Sequence, residues 1–135
     1  MRAITLLVTL TLAAACLGKD TDQRPAMGGM TMRSDSLMPV MRAHLDSLAA
    51  MSPQVVAGHV AAHDAMASQM LDAMGSDMRM MDTRPDSAWT ALADSVRRDL
   101  AELPSLSGRA LQTRMRAHVG RMRRLLDVHG AMMHK

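Results

Sequence analysis

The chain has no phenylalanine, no tyrosine and one tryptophan, Trp89. The aromatic content that strands favour is nearly missing, and there is one isoleucine, Ile4. The core must be Met, Leu, Ala and Val, mostly helix formers, so an all-α fold is expected. Glu102 is the only glutamate, which excludes a di-iron bundle built on several glutamates and Glu-x-x-His pairs. There is one cysteine, Cys16, and no Cys-x-x-Cys-His segment for covalent haem. No Ser/His/Asp or Cys/His arrangement stands out, so the sequence reads as a binding or interaction protein and not an enzyme.

Methionine is in excess, at 17 of 135 residues, roughly five-fold above ordinary usage. Hydrophobic residues make up 48% and net charge is +3, enough apolar material for one domain. The basic residues are nearly all arginine, the lysines being Lys19 and Lys135.

Met1-Arg2, an apolar run over 3–12 and the small residues Ala13, Ala14 and Ala15 read as a secretory signal peptide over 1–15. The run is too short to span a bilayer. Leu12-Ala13-Ala14-Ala15-Cys16 resembles the lipobox of bacterial lipoproteins, with the leucine one position further from the cysteine than is usual. The resemblance implies lipidation of Cys16 and a membrane partner through that anchor. With Leu17 next in the chain, it also implies sorting to the outer membrane, facing the periplasm. Residues 16–35, with Pro25, Gly28 and Gly29, read as a flexible tether.

Residues 36–135 read as an antiparallel up-down four-helix bundle, with helices at about 39–50, 53–81, 87–103 and 108–132. Pro39 is suited to a first helical position, which makes the first helix the shortest. Ser52 and Pro53 mark the second start, Gly75 is a point of loosening, and Pro85 follows the end. The arginines of the fourth helix read as a solvated face. An exported chain makes nucleic acid an improbable partner, and anionic lipid headgroups are the alternative.

His59, His63, Met66, Met70 and Met74 recur at helical spacing. At about 1.5 Å per residue, Met41, His44, His59, His63, Met115 and His118 come out at one depth from three helices, with Met66 and Met122 just below. These eight are the candidate metal ligands. Met74, Met78, His129 and Met132 form a second candidate layer, which a short first helix would leave open to water. Thioethers and imidazoles are neutral donors that select Cu(I) or Ag(I). The pairs Met41/His44, His63/Met66, Met115/His118 and His129/Met132 resemble the short motifs of periplasmic silver- and copper-binding proteins. That resemblance implies sequestration of the ion or its handover to a protein partner in the cell envelope. Two alternatives stand beside it. One is a Zn(II) site on His44, His59, His63 and His118. The other is a Met-filled core without metal, in a structural or interaction lipoprotein.

Overall fold

The computed structural model of the chain describes residues 34–134. The expected signal peptide, Cys16 and most of the tether lie outside the described residues. Within them the chain forms four helices: α1 (Ser34–Ala50), α2 (Pro53–Met80), α3 (Ser87–Glu102) and α4 (Gly108–Met133). A 3₁₀ turn, Leu103–Ser105, links α3 to α4. This is an all-α four-helix bundle, with no strand among the described residues.

The expected bounds of α2, α3 and α4 hold to within one residue. α1 corrects the expectation. It starts at Ser34, not Pro39, and runs for 17 residues, so the last two residues of the expected tether are helical. The cause lies on another helix. Ser34 donates its backbone N–H to Asp77 Oδ2 at 2.9 Å and its hydroxyl to the same oxygen at 2.6 Å. A carboxylate from α2 thus satisfies a donor that a helix start leaves orphaned. Asp35 adds negative charge in the first turn, where the helix dipole favours it. Pro39 sits in the second turn and forfeits one backbone bond.

Ser52 precedes α2 with extended backbone, but its side chain makes no capping bond. Pro53 and the bonds from Val55 and Val56 N–H to the Ser52 carbonyl start the helix instead. α2 runs unbroken through Gly75, because its face there is buried. It ends where Asp82 turns left-handed (φ 49°) and Thr83 N–H reaches back to the Met78 carbonyl at 2.8 Å, closing the last turn. α3 has a true side-chain cap, Asp86 Oδ1 accepting from Trp89 N–H at 2.7 Å.

α4 packs against each of the other three helices. It runs antiparallel to α1, and the exposed pairs Arg42–Asp127 and Asp46–Arg123 tie the two together. Met41, Met70, Met74, Met115 and Met122 are buried among Leu45, Leu48, Leu111, Leu125 and Leu126. The thioethers fill space that aromatic rings would occupy elsewhere. No helix among the described residues is long and apolar enough to cross a membrane.

Candidate metal centre

The bundle core holds a hydrogen-bonded line of side chains, one from each helix. His44 Nε2 on α1 lies 3.0 Å from His63 Nδ1 on α2. His63 Nε2 lies 2.8 Å from His118 Nε2 on α4. His118 Nδ1 lies 3.2 Å from Asp99 Oδ2 on α3. His63 and His118 are fully buried and Asp99 nearly so. The His44 and His63 rings stack at 5.1 Å, while His63 meets His118 edge to face at 4.9 Å.

Arg121 grips Asp99 through Nε and Nη2, at 2.6 and 2.7 Å, and Arg114 approaches Asp99 Oδ1 at 3.4 Å. Burial on its own would raise the Asp99 pKa, but the Arg121 bonds outweigh it and hold the carboxyl below its ordinary value. Asp99 is therefore an acceptor only. This fixes every proton in the line. His118 donates Nδ1–H to Asp99 and presents the Nε2 lone pair. His63 donates Nε2–H to that lone pair. His44 donates Nε2–H to His63 Nδ1.

The histidines are neutral. Burial lowers the His63 pKa to about 3, with the His118 and His44 rings adding to the effect. Burial also lowers His118, against the pull of Asp99. It lowers His44 too, with the neighbouring His59 second. Neutral imidazole is the state that binds metal. A ligating imidazole is also ordinarily oriented by a carboxylate on its other nitrogen, as Asp99 does for His118.

Of the eight candidate ligands, His44, His63 and His118 are joined directly. Met41, Met115 and Met122 are buried in the core, and Met66 packs at its margin. His59 is half-buried one turn before His63 and takes no part in the line of hydrogen bonds. The four histidines do not form a tetrahedral shell. His44 and His118 sit at opposite nitrogens of the His63 ring, so their lone pairs do not converge. No group of three or more His, Cys, Asp or Glu among the described residues is arranged to hold one metal ion.

The second candidate layer is closed, where the sequence suggested an open one. Met74, Met78 and His129 are buried and Met132 is partly buried, because the longer α1 reaches this end of the bundle. Ser34 Oγ also stands 3.0 Å from His129 Nε2.

Asp99, Arg121, Ser34 and Asp77 were not anticipated as site residues. The signal for the two acids was present. Asp99 falls on the stripe of Leu92, Val96 and Leu103, and Asp77 on that of Met70, Met74 and Met78, so both carboxylates occupy core-facing positions. No protein-family model, curated protein or solved structure matches the chain.

Proposed function

We propose that the protein binds a soft monovalent ion, Cu(I) or Ag(I), between His63 Nε2 and His118 Nε2, and holds it for sequestration or handover in the cell envelope. The head-on approach of these two nitrogens, 2.8 Å apart in a shared hydrogen bond, carries the reading; an ion held in line at about 2.0 Å from each nitrogen requires the two rings to draw apart by roughly 1.2 Å. A d¹⁰ monovalent ion is satisfied by two donors in line. Zn(II) wants four, and the histidine line offers no such shell. Thioethers of the surrounding core are the further donors, with Met66, Met115 and Met122 the first to test.

The line of imidazoles can accommodate such an ion without losing its outer hydrogen bond. His63 releases its Nε2 proton to solvent as the ion enters and takes the His44 Nε2 proton at Nδ1, so that the bond between them reverses, while solvent returns one proton to His44 Nδ1 with no net change. His44 then carries its proton at Nδ1, at the half-exposed end of the line. Each ring stays neutral, and Asp99 keeps its bond to His118.

Lipidation of Cys16 would hold the domain at the membrane by a flexible tether, within reach of a metal-transfer partner. A second reading is a non-catalytic interaction bundle without metal. The completeness of the line favours it, since a satisfied buried polar network rigidifies a core and fixes its register.

The test is a Cu(I) competition titration against a colorimetric chelator. The chain carries Cys16→Ala, so that no thiolate contributes. Binding tighter than about 1 μM, a free energy near −8 kcal/mol, is expected. His118→Asn should remove the ion held between His63 and His118 with the fold retained, because the Asn amide can replace Nδ1–H toward Asp99 but supplies no donor at the Nε2 position. Wild-type binding weaker than micromolar overturns the proposal in favour of the metal-free bundle.

A further inference from the structure

At the other end of the core, Ser34, Asp77 and His129 are linked and buried. The Ser34 hydroxyl has one proton, and the 2.6 Å approach to Asp77 Oδ2 takes it. Ser34 Oγ is then an acceptor toward His129 Nε2 at 3.0 Å, so Nε2 bears the ring proton. Burial lowers the His129 pKa despite the acids Asp77 and Asp35 nearby, and the ring is neutral. Nδ1 therefore carries a lone pair. It is buried and has no hydrogen-bond partner, in a residue only 1% exposed.

The order of protons argues against a nucleophilic serine. The hydroxyl is committed to the carboxylate and the imidazole donates to the oxygen, the reverse of a Ser-His-Asp relay.

Methionines recur within about a turn of Asp77 and His129 along their helices. Met74 and Met78 flank Asp77 on the buried face of α2. Met132 is one turn beyond His129 on α4. Met38 of α1 sets its Cε only 3.8 Å from where a Cβ on Gly130 would be. A thioether cannot donate a hydrogen bond, but it is a donor of the kind soft cations take.

The geometry points to a second soft-ion site, with His129 Nδ1 as its nitrogen ligand and thioethers from Met74, Met78 and Met132 completing it. The inference extends the Cu(I)/Ag(I) reading from the His63–His118 pair to the opposite end of the core. His118 and His129 are 11 residues apart, about three turns and so on one face of α4. His118 is held at Nδ1 by Asp99 and gives its Nε2 lone pair to His63, whereas His129 is held at Nε2 through Ser34 and leaves Nδ1 without a partner. The two sites differ in donor set, with two imidazoles at one and a single imidazole among thioethers at the other.

The experiment counts ions. Cu(I) is titrated into the Cys16→Ala chain and the load is read by native mass spectrometry, with circular dichroism as the check on fold. Two ions per chain are expected. His129→Gln should take one, because the Gln amide can keep the bond to Ser34 Oγ while removing Nδ1. His118→Asn should also take one, and its copper-edge absorption should show mostly sulfur scattering. Met74→Leu with Met78→Leu, a volume-conserving pair, should lose the same ion as His129→Gln.

A wild-type load of two that His129→Gln leaves at two overturns the inference. So does a load of one that only His118→Asn removes, although the first site then stands. A load of one that only His129→Gln removes upholds this site and overturns the first. A load of zero overturns both, leaving a trapped water as the partner of Nδ1.

Discussion

His63 and His118 meet through their Nε2 atoms at 2.8 Å, and a single proton serves both rings. Two neutral imidazoles can share a buried contact this way only if their tautomers are complementary. The Asp99–Arg121 pair makes them so from outside. The carboxylate is kept ionised by the guanidinium, the ionised carboxylate fixes His118, and His118 fixes His63. A half-exposed arginine on the bundle surface thus decides which nitrogen points where in the core.

Stability should fall in mild acid, above the carboxylate range. His63 is held to a pKa of about 3 by burial and its two histidine neighbours, whereas unfolded it titrates near 6.5. Between those values the unfolded chain takes up a proton that the folded chain refuses. Stability therefore rises with pH through that window and falls as pH drops below about 6.5. Each histidine so held contributes up to about 1.4 kcal/mol per pH unit, and His118, His44 and His129 are lowered too. Asp99, held below its ordinary value, keeps its contribution until pH falls below about 4. Urea midpoints should be flat from pH 7.5 to 8 and should decline steadily from 6.5 to 4.5. Midpoints unchanged down to pH 4.5 would mean the histidines protonate freely in the folded state.

Asp99→Asn tests control of the tautomers. One amide oxygen cannot serve both Arg121 and His118 as the carboxylate does, and the amide N–H₂ faces a donor. Losing one partner of a buried charged pair costs about 3–5 kcal/mol. Arg121 is 31% exposed and can turn to water, which places the expected loss at the low end. Denaturant unfolding measures it. Cu(I) affinity should drop about 10- to 100-fold, as for loss of a carboxylate behind a metal-bound histidine. A variant with unchanged affinity would separate Asp99 from the binding function.

The helices were legible because the Met and Leu stripes carry their period without ambiguity, and α2, α3 and α4 end where local chemistry ends them. The start of α1 was not. Its anchor, Asp77, is 43 residues away in sequence, and Pro39 offered a plausible local start instead. Depth counting along helices brought His44, His63 and His118 together but could not resolve ring orientation, so a line of hydrogen bonds read as a shell. The spacing of His59 from His63 points to a shared face, yet His59 lies at the edge of the buried stripe. Asp99 is not a soft neutral donor, yet a carboxylate in an apolar stripe opposite buried histidines is itself a signal.

The methionines separate packing from binding. Met66→Leu, Met115→Leu and Met122→Leu each preserve volume, so each should cost less than about 1.5 kcal/mol. Met66, at the core margin, should cost least. The thermal transition of each single variant should therefore stay cooperative and shift by less than about 10 °C. If thioethers complete the site, the triple variant keeps a cooperative transition but binds Cu(I) more weakly. Full Cu(I) affinity in the triple variant would leave the ion to the two imidazoles alone.

Ser34→Ala tests how far the start of α1 depends on α2. The substitution keeps the backbone bond to Asp77 Oδ2 but removes the hydroxyl that satisfies both the carboxylate and His129 Nε2. Asp77 and His129 are both buried and would each lose a partner, at about 1–3 kcal/mol for an unsatisfied group. The first turns of α1 already lack one bond at Pro39, so they should fray before the rest of the bundle. Amide exchange over residues 36–41 should then accelerate well beyond the change in global stability, while exchange near His44 should track the global value. Uniform acceleration along α1 would mean the helix opens as one unit, with Ser34 no more than an ordinary cap.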